Sequence, residues 1–125
     1  MRNYHIGCGY TLGKSWINCD NSPIAFFDQI PLLSRLININ KRKFPDGITY
    51  GNIVKKKLCN KESADNIYCS HVLEHVSYFD AKKMLKNIYD MLKKGGVFRI
   101  VVPSLESRIK KYQENKDANK FMESL

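Results

Sequence analysis

Apolar residues fall along the chain in two rhythms. Short runs rich in β-branched and aromatic residues at 4–6, 16–19, 48–50, 66–69 and 97–102 predict five strands, each bounded by glycine, proline or polar residues. The last is the strongest. It runs without alternation between Gly95-Gly96 and Pro103, which predicts a strand buried on both faces, as in a parallel sheet covered by helices. A second rhythm runs over 78–94, where Ala81, Met84, Leu85, Ile88, Met91 and Leu92 recur at three- and four-residue steps. That spacing predicts a helix with Ser77 or Asp80 as its cap, lysines in its last turn and Gly95 as its stop. Another helix is predicted over 105–122, with Leu105, Ile109 and Tyr112 on one side. A further one follows Pro31, where Leu32, Leu33, Leu36 and Ile37 form a narrow apolar stripe. Strand, glycine turn, strand, strand, helix, strand, helix describes an open α/β domain.

The length, 125 residues, suits a single domain over 1–125. With 43% hydrophobic and 26% charged residues, the chain has the composition of a soluble globular protein. Its longest uncharged run is interrupted by Asn18, Asp20, Asn21 and Pro23, so no membrane span is expected. Residues 1–5 lead straight into Gly7-Cys8-Gly9, with no export signal in front. Cys8, Cys19, Cys59 and Cys69 form no C-x-x-C pair, so buried thiols in a reducing cytoplasm are expected, and no metal site. The net charge of +9 could attract nucleic acid. Yet the lysines are scattered and rise together with Asn and Ile, which looks like codon bias; nucleic-acid binding is not favoured.

In an open α/β sheet, ligands bind beyond the carboxyl ends of the strands, where the strand order reverses. The first predicted strand ends at Gly7-Cys8-Gly9, where glycines allow a sharp turn and a close approach to a ligand. The full G-x-G-x-x-G fingerprint is absent, because position 12 is leucine, and pyrophosphate binding is disfavoured. The second strand ends at Asp20, whose carboxylate can accept two hydrogen bonds from a ribose diol or can simply cap the turn at Asn21-Ser22-Pro23.

These residues carry a resemblance. Residues 4–9 and 15–23 resemble the opening of class I S-adenosylmethionine-dependent methyltransferases of the type 11 group. Residues 65–75, Asp-Asn-Ile-Tyr-Cys-Ser-His-Val-Leu-Glu-His, resemble the fourth strand of that group and the turn after it. Residues 92–103 are similar to its "LKPGG" turn and fifth strand, with Lys94 where proline is usual. The resemblance implies a Rossmann-like, mostly parallel sheet in the order 3-2-1-4-5, with S-adenosylmethionine as cofactor. It implies that Gly7, Cys8 and Gly9 lie along the methionine part and that Asp20 holds the ribose hydroxyls. Asn52, followed by Ile53, stands where an aspartate near the adenine is common; its carbonyl could still pair with the adenine amino group. Ser70 and His71 would flank the methyl group, with His71 as general base where the acceptor must lose a proton. A small-molecule acceptor is implied.

The chain departs from that pattern in two places. Too few residues separate the first two strands for the usual crossover helix, so segment 24–39 is expected to fold over that region. The chain also stops soon after the fifth strand, so the usual C-terminal antiparallel strands are lacking. That leaves the fifth strand as an apolar edge and suggests a homodimer formed through it. A non-catalytic cofactor-binding or interaction module with the same fold is the alternative function. His71-Val72-Leu73-Glu74-His75 also fits the H-x-x-E-H zinc-peptidase motif, but its first histidine directly follows a strand-like run. Leu73 is expected to pack into the core, with Glu74 and His75 ordering the turn.

Overall fold

A computed structural model describes residues 1–23, 25 and 45–123. Five strands, β1 (Asn3–Ile6), β2 (Ile17–Asp20), β3 (Ile48–Tyr50), β4 (Ala64–Ser70) and β5 (Leu92–Val101), form one sheet in the order β3-β2-β1-β4-β5. All neighbouring pairs are parallel. Helix α1 (Tyr78–Met91) precedes β5, and α2 (Leu105–Asn115) and α3 (Ala118–Glu123) follow it. The open sheet and its strand order are those expected. The helix predicted after Pro31 and the covering segment 24–39 lie outside the described residues, apart from position 25.

The core lies between one face of the sheet and α1. Tyr4, Ile6, Cys19, Ile67 and Cys69 pack there against Met84, Ile88 and Met91, the apolar stripe that the three- and four-residue spacing marks. Ser77 caps the helix by accepting a hydrogen bond from the Asp80 amide at 3.2 Å. The helix ends at Met91, three residues before the predicted end, so Lys93 and Lys94 lie beyond its last turn. Leu92 turns to extended geometry and pairs with Ala64, and residues 93–96 bulge out before Val97 resumes the ladder opposite Asn66. Lys93 binds Asp65 at 2.7 Å across this bulge.

Two predictions fail for identifiable reasons. β5 is not buried on both faces. Val97 is 58% exposed on the face that α1 leaves uncovered, and Ile100, on the α1 side, is 36% exposed because β5 stands at the end of the sheet order. The other face carries a polar and aromatic row, His5, Asn18, Tyr68 and Arg99, aligned across four strands by the register. The His5 and Tyr68 rings lie 5.1 Å apart, and Arg99 sits 5.9 Å from the Tyr68 ring centre. The helix predicted over 105–122 is two helices, because Lys116 adopts a left-handed conformation at φ 55°. Asn115 accepts from the Asp117 amide, and Asp117 accepts from the Lys120 amide. These short polar side chains end one helix and start the next. The hairpin is closed by Tyr112 against Phe121, with ring centres 5.4 Å apart.

Burial holds the His5 imidazole below its ordinary value of 6.5, with Asn18 and the charge of Asp20 opposing in part. The unfolded chain therefore binds a proton near pH 6.5 that the folded chain resists, and stability is lost as pH falls. Urea midpoints should drop between pH 7.5 and 5.5, and less so in His5→Phe. An equal drop in both proteins would remove His5 as the cause.

Candidate functional site

The candidate residues meet at the carboxyl ends of β1, β2 and β4. β1 leads into a left-handed turn, with φ 67° at Gly7 and 53° at Gly9. The amides of Gly7 and Cys8 both donate to the Cys19 carbonyl, at 2.8 and 3.2 Å. The Gly9 amide donates to Asp20 Oδ2 at 2.8 Å, while Asp20 Oδ1 accepts from the Ser22 amide at 2.8 Å. The turn-cap reading of Asp20 is seen here, and the same side chain also pins the glycine turn beside it. Each carboxylate oxygen keeps acceptor capacity beyond these bonds.

The remaining candidates are placed as follows. The Asp20 carbonyl accepts from Gly51 at 2.9 Å, which brings the end of β3 alongside. The Asn52 side-chain carbonyl accepts from the Val54 and Lys55 amides at 3.0 and 3.1 Å. The oxygen reserved in the sequence for an adenine is therefore engaged by its own turn. Ile53 is buried in the core. Ser70 is half-buried at the end of β4, and His71 follows it in a left-handed conformation, φ 55°. The His71 ring is exposed, with Nδ1 3.2 Å from Glu74 Oε1.

Two features near the site, at Asn18 and Val72, were not legible in advance. Asn18 is buried, with Oδ1 accepting from the Gly13 amide and Nδ2 donating to the Gly13 and Trp16 carbonyls. A polar residue in the middle of a short strand was its only signal. Val72 packs against the core in place of Leu73, and it crowds Gly7: a Cβ there would lie 2.2 Å from Val72 Cγ2. Glu74 binds His71, and the exposed His75 contributes its backbone amide, donated to the Val72 carbonyl at 3.1 Å. Only Leu73–His75 forms a single 3-10 turn, which leaves His71 outside any helix and without the common helical face a zinc-peptidase motif needs. The three buried thiols are held protonated: burial, with a smaller contribution from Asp20, pushes Cys8 up to about 11, and Cys19 and Cys69 are pushed up to about 12, again chiefly by burial. Cys8 is therefore no nucleophile.

A parallel sheet in this order, with a glycine turn after its first strand and an acid closing its second, is the framework of Rossmann-like cofactor-binding domains. The model of a methyltransferase domain family matches residues 12–123. The chain belongs to that family of S-adenosylmethionine-dependent methyltransferases, and its fold is the fold of their solved members. Over 90 residues it is 32% identical to a sphingolipid C9-methyltransferase of Komagataella phaffii, covering 72% of this chain and 17% of that enzyme. A Pyrococcus horikoshii protein matches with a TM-score of 0.58 at 15% identity, over 91% of this chain and 52% of its own. An S-adenosylmethionine-dependent methyltransferase from Mesorhizobium loti matches with a TM-score of 0.52 at 23% identity, over 79% of this chain and 45% of its own. The chain thus spans about half the length of the solved proteins it matches and a smaller part of the fungal enzyme. Among the described residues, no helix is long and apolar enough to cross a membrane.

The two glycines of the turn should respond differently to a methyl group. Gly7→Ala meets Val72 and keeps a left-handed backbone, and should cost about 2–4 kcal/mol. Gly9→Ala has open space around its Cβ and should cost only ~1 kcal/mol. Because the Gly7 penalty is shared with its neighbour, Gly7→Ala with Val72→Ala should lose less than the sum of the single losses. Equal denaturation midpoints for the two glycine variants would contradict this contrast.

Proposed function

We propose that this chain binds S-adenosylmethionine across the carboxyl ends of β1 and β2 and transfers its methyl group to a small-molecule acceptor. The observation that carries the proposal is the turn at Gly7-Cys8-Gly9 fixed beside Asp20 by the 2.8 Å bond from the Gly9 amide. The residues present suit such a ligand. Among the described residues, a Cβ on Gly9 would meet no atom within 4 Å, so the turn offers backbone and open space together. Asp20 offers unused acceptor capacity for a ribose diol. Gly7, Cys8, Gly9 and Ser70 would flank the methionine part, with Asn52 and Ile53 on the adenine side. Since the Asn52 carbonyl is already engaged, its amide hydrogens are what it has left to offer a base.

The cofactor, when bound, supplies an activated methyl group on a sulfonium. The chain's own part is to hold, align and exclude water. His71 is the candidate base. Glu74 at its Nδ1 favours a proton on that nitrogen, which leaves Nε2 to take one from an acceptor. All four cysteines are free and three are buried, which supports a cytoplasmic setting. The match to a methyltransferase family model does not favour a purely non-catalytic module. The edge position of β5 and the exposed Val97, Ile100 and Val102 support a dimer through that strand. Light scattering should then show twice the monomer mass at high concentration; a clean monomer would exclude the pairing.

Calorimetric titration with S-adenosylhomocysteine tests the cofactor site without knowledge of the acceptor. Asp20→Ala should weaken binding by about 1.5–3 kcal/mol, the range for hydrogen bonds to a charged group. Gly9→Val should weaken it too, by filling the open space at the turn. Unchanged affinity in both, with circular dichroism intact, would overturn the assignment.

A further inference from the structure

Two cavities lie beyond the end of β5, and both are lined by Arg108. One, about 370 Å³, is lined by Leu73, Val102, Pro103 and Leu105, and also by Glu74. The other, about 430 Å³, lies between α2 and α3, where Arg108, Lys111 and Lys120 line it with Ser107, Tyr112 and Phe121. No carboxylate lines the second cavity. Lys120 is partly balanced by Asp117 at 3.6 Å, which leaves Arg108 and Lys111 as its main positive charges. Arg108 Nη1 is shut off from solvent and has no hydrogen-bond partner. A buried guanidinium nitrogen without an acceptor is costly, and the charge of the guanidinium as a whole favours an anion in the cavity that Arg108 lines. The apolar cavity in turn touches Glu74, the partner of His71. Glu74 thus links the candidate base to the apolar cavity, and Arg108 links that cavity to the cationic one.

We propose that the two cavities together take the acceptor, and that it is an anionic amphiphile: an apolar chain or ring with a phosphate or carboxylate at one end and, at the other, the neutral hydroxyl or amine that accepts the methyl group and gives up its proton to His71. Its anion sits against Arg108 and Lys111, and its apolar body lies over Leu73, Val102, Pro103 and Leu105. Glu74, which also lines the apolar compartment, repels a second negative group, which fixes the polarity of the ligand. This assignment rests on the methyltransferase reading, because it brings the acceptor to Glu74, the partner of His71.

The test uses the full chain and three probes: hexyl phosphate, inorganic phosphate and 1-hexanol. Hexyl phosphate should bind at least tenfold more tightly than either of the others. Arg108→Gln should lose at least tenfold for hexyl phosphate and leave hexanol unchanged. Lys111→Gln, which keeps the guanidinium, should lose several-fold and guards against a folding defect in the first variant. Phosphatidic acid vesicles distinguish the source. Vesicle binding lost in Arg108→Gln assigns a lipid, and binding of hexyl phosphate alone assigns a free metabolite. Either outcome supports the proposal. Hexyl phosphate no tighter than hexanol, or vesicle and probe binding indifferent to Arg108→Gln, overturns it. S-adenosylhomocysteine titration of the same samples separates the two readings. A chain that binds hexyl phosphate but not the cofactor product loses the methyltransferase reading alone, and the reverse result loses the amphiphile alone.

Discussion

Residues 7–16 join two parallel strands without a helix, and the rest of the site depends on how that short connection is satisfied. A parallel crossover usually hides its peptide groups in a helix. Here they need other partners, and β2 supplies them. The Cys19 carbonyl takes the first two amides, the Asn18 side chain holds Gly13 and Trp16, and Asp20 takes Gly9. One four-residue strand therefore builds both the sheet and the loop above it. Buried Asn18 and half-buried Asp20 are polar because the connection leaves donors and acceptors that only side chains can reach.

The same economy reaches the turn after β4. Gly7 lies so close to Val72 that the two strand ends are set against each other, and the next residues along carry Glu74 and its bond to His71. The site is thus a junction of two left-handed turns, one of glycine and one at His71. A non-glycine residue held left-handed costs free energy that its surroundings must offset. The His71 amide, bonded to the Val101 carbonyl at 3.0 Å, is one such restraint.

Much of this was legible in the sequence. Glycine and aspartate at strand ends mark backbone turns, and the Met84, Ile88 and Met91 stripe marks the helix face that packs on the sheet. What could not be read depended on distant neighbours. The Val and Ile run of β5 looks the same whether helices cover both its faces or one. Lys116 gives no warning of a break, and only Asn115 and Asp117 on either side hint at one. Val72 and Leu73 are adjacent apolar residues, and which of them packs into the core was decided by the glycine opposite. Nothing in the sequence around Arg108 marks it as the residue that lines both cavities beyond β5.

Trp16 is the sole tryptophan of the chain, and it sits at the last position of the 7–16 connection. Its ring meets Tyr68 nearly edge-on at 6.4 Å, and its carbonyl is tied to Asn18. The protein therefore carries a built-in optical gauge. Its indole emission arises from the very segment that a ligand over Gly9 would press upon, so rearrangement of that turn changes the fluorescence without any dye or label.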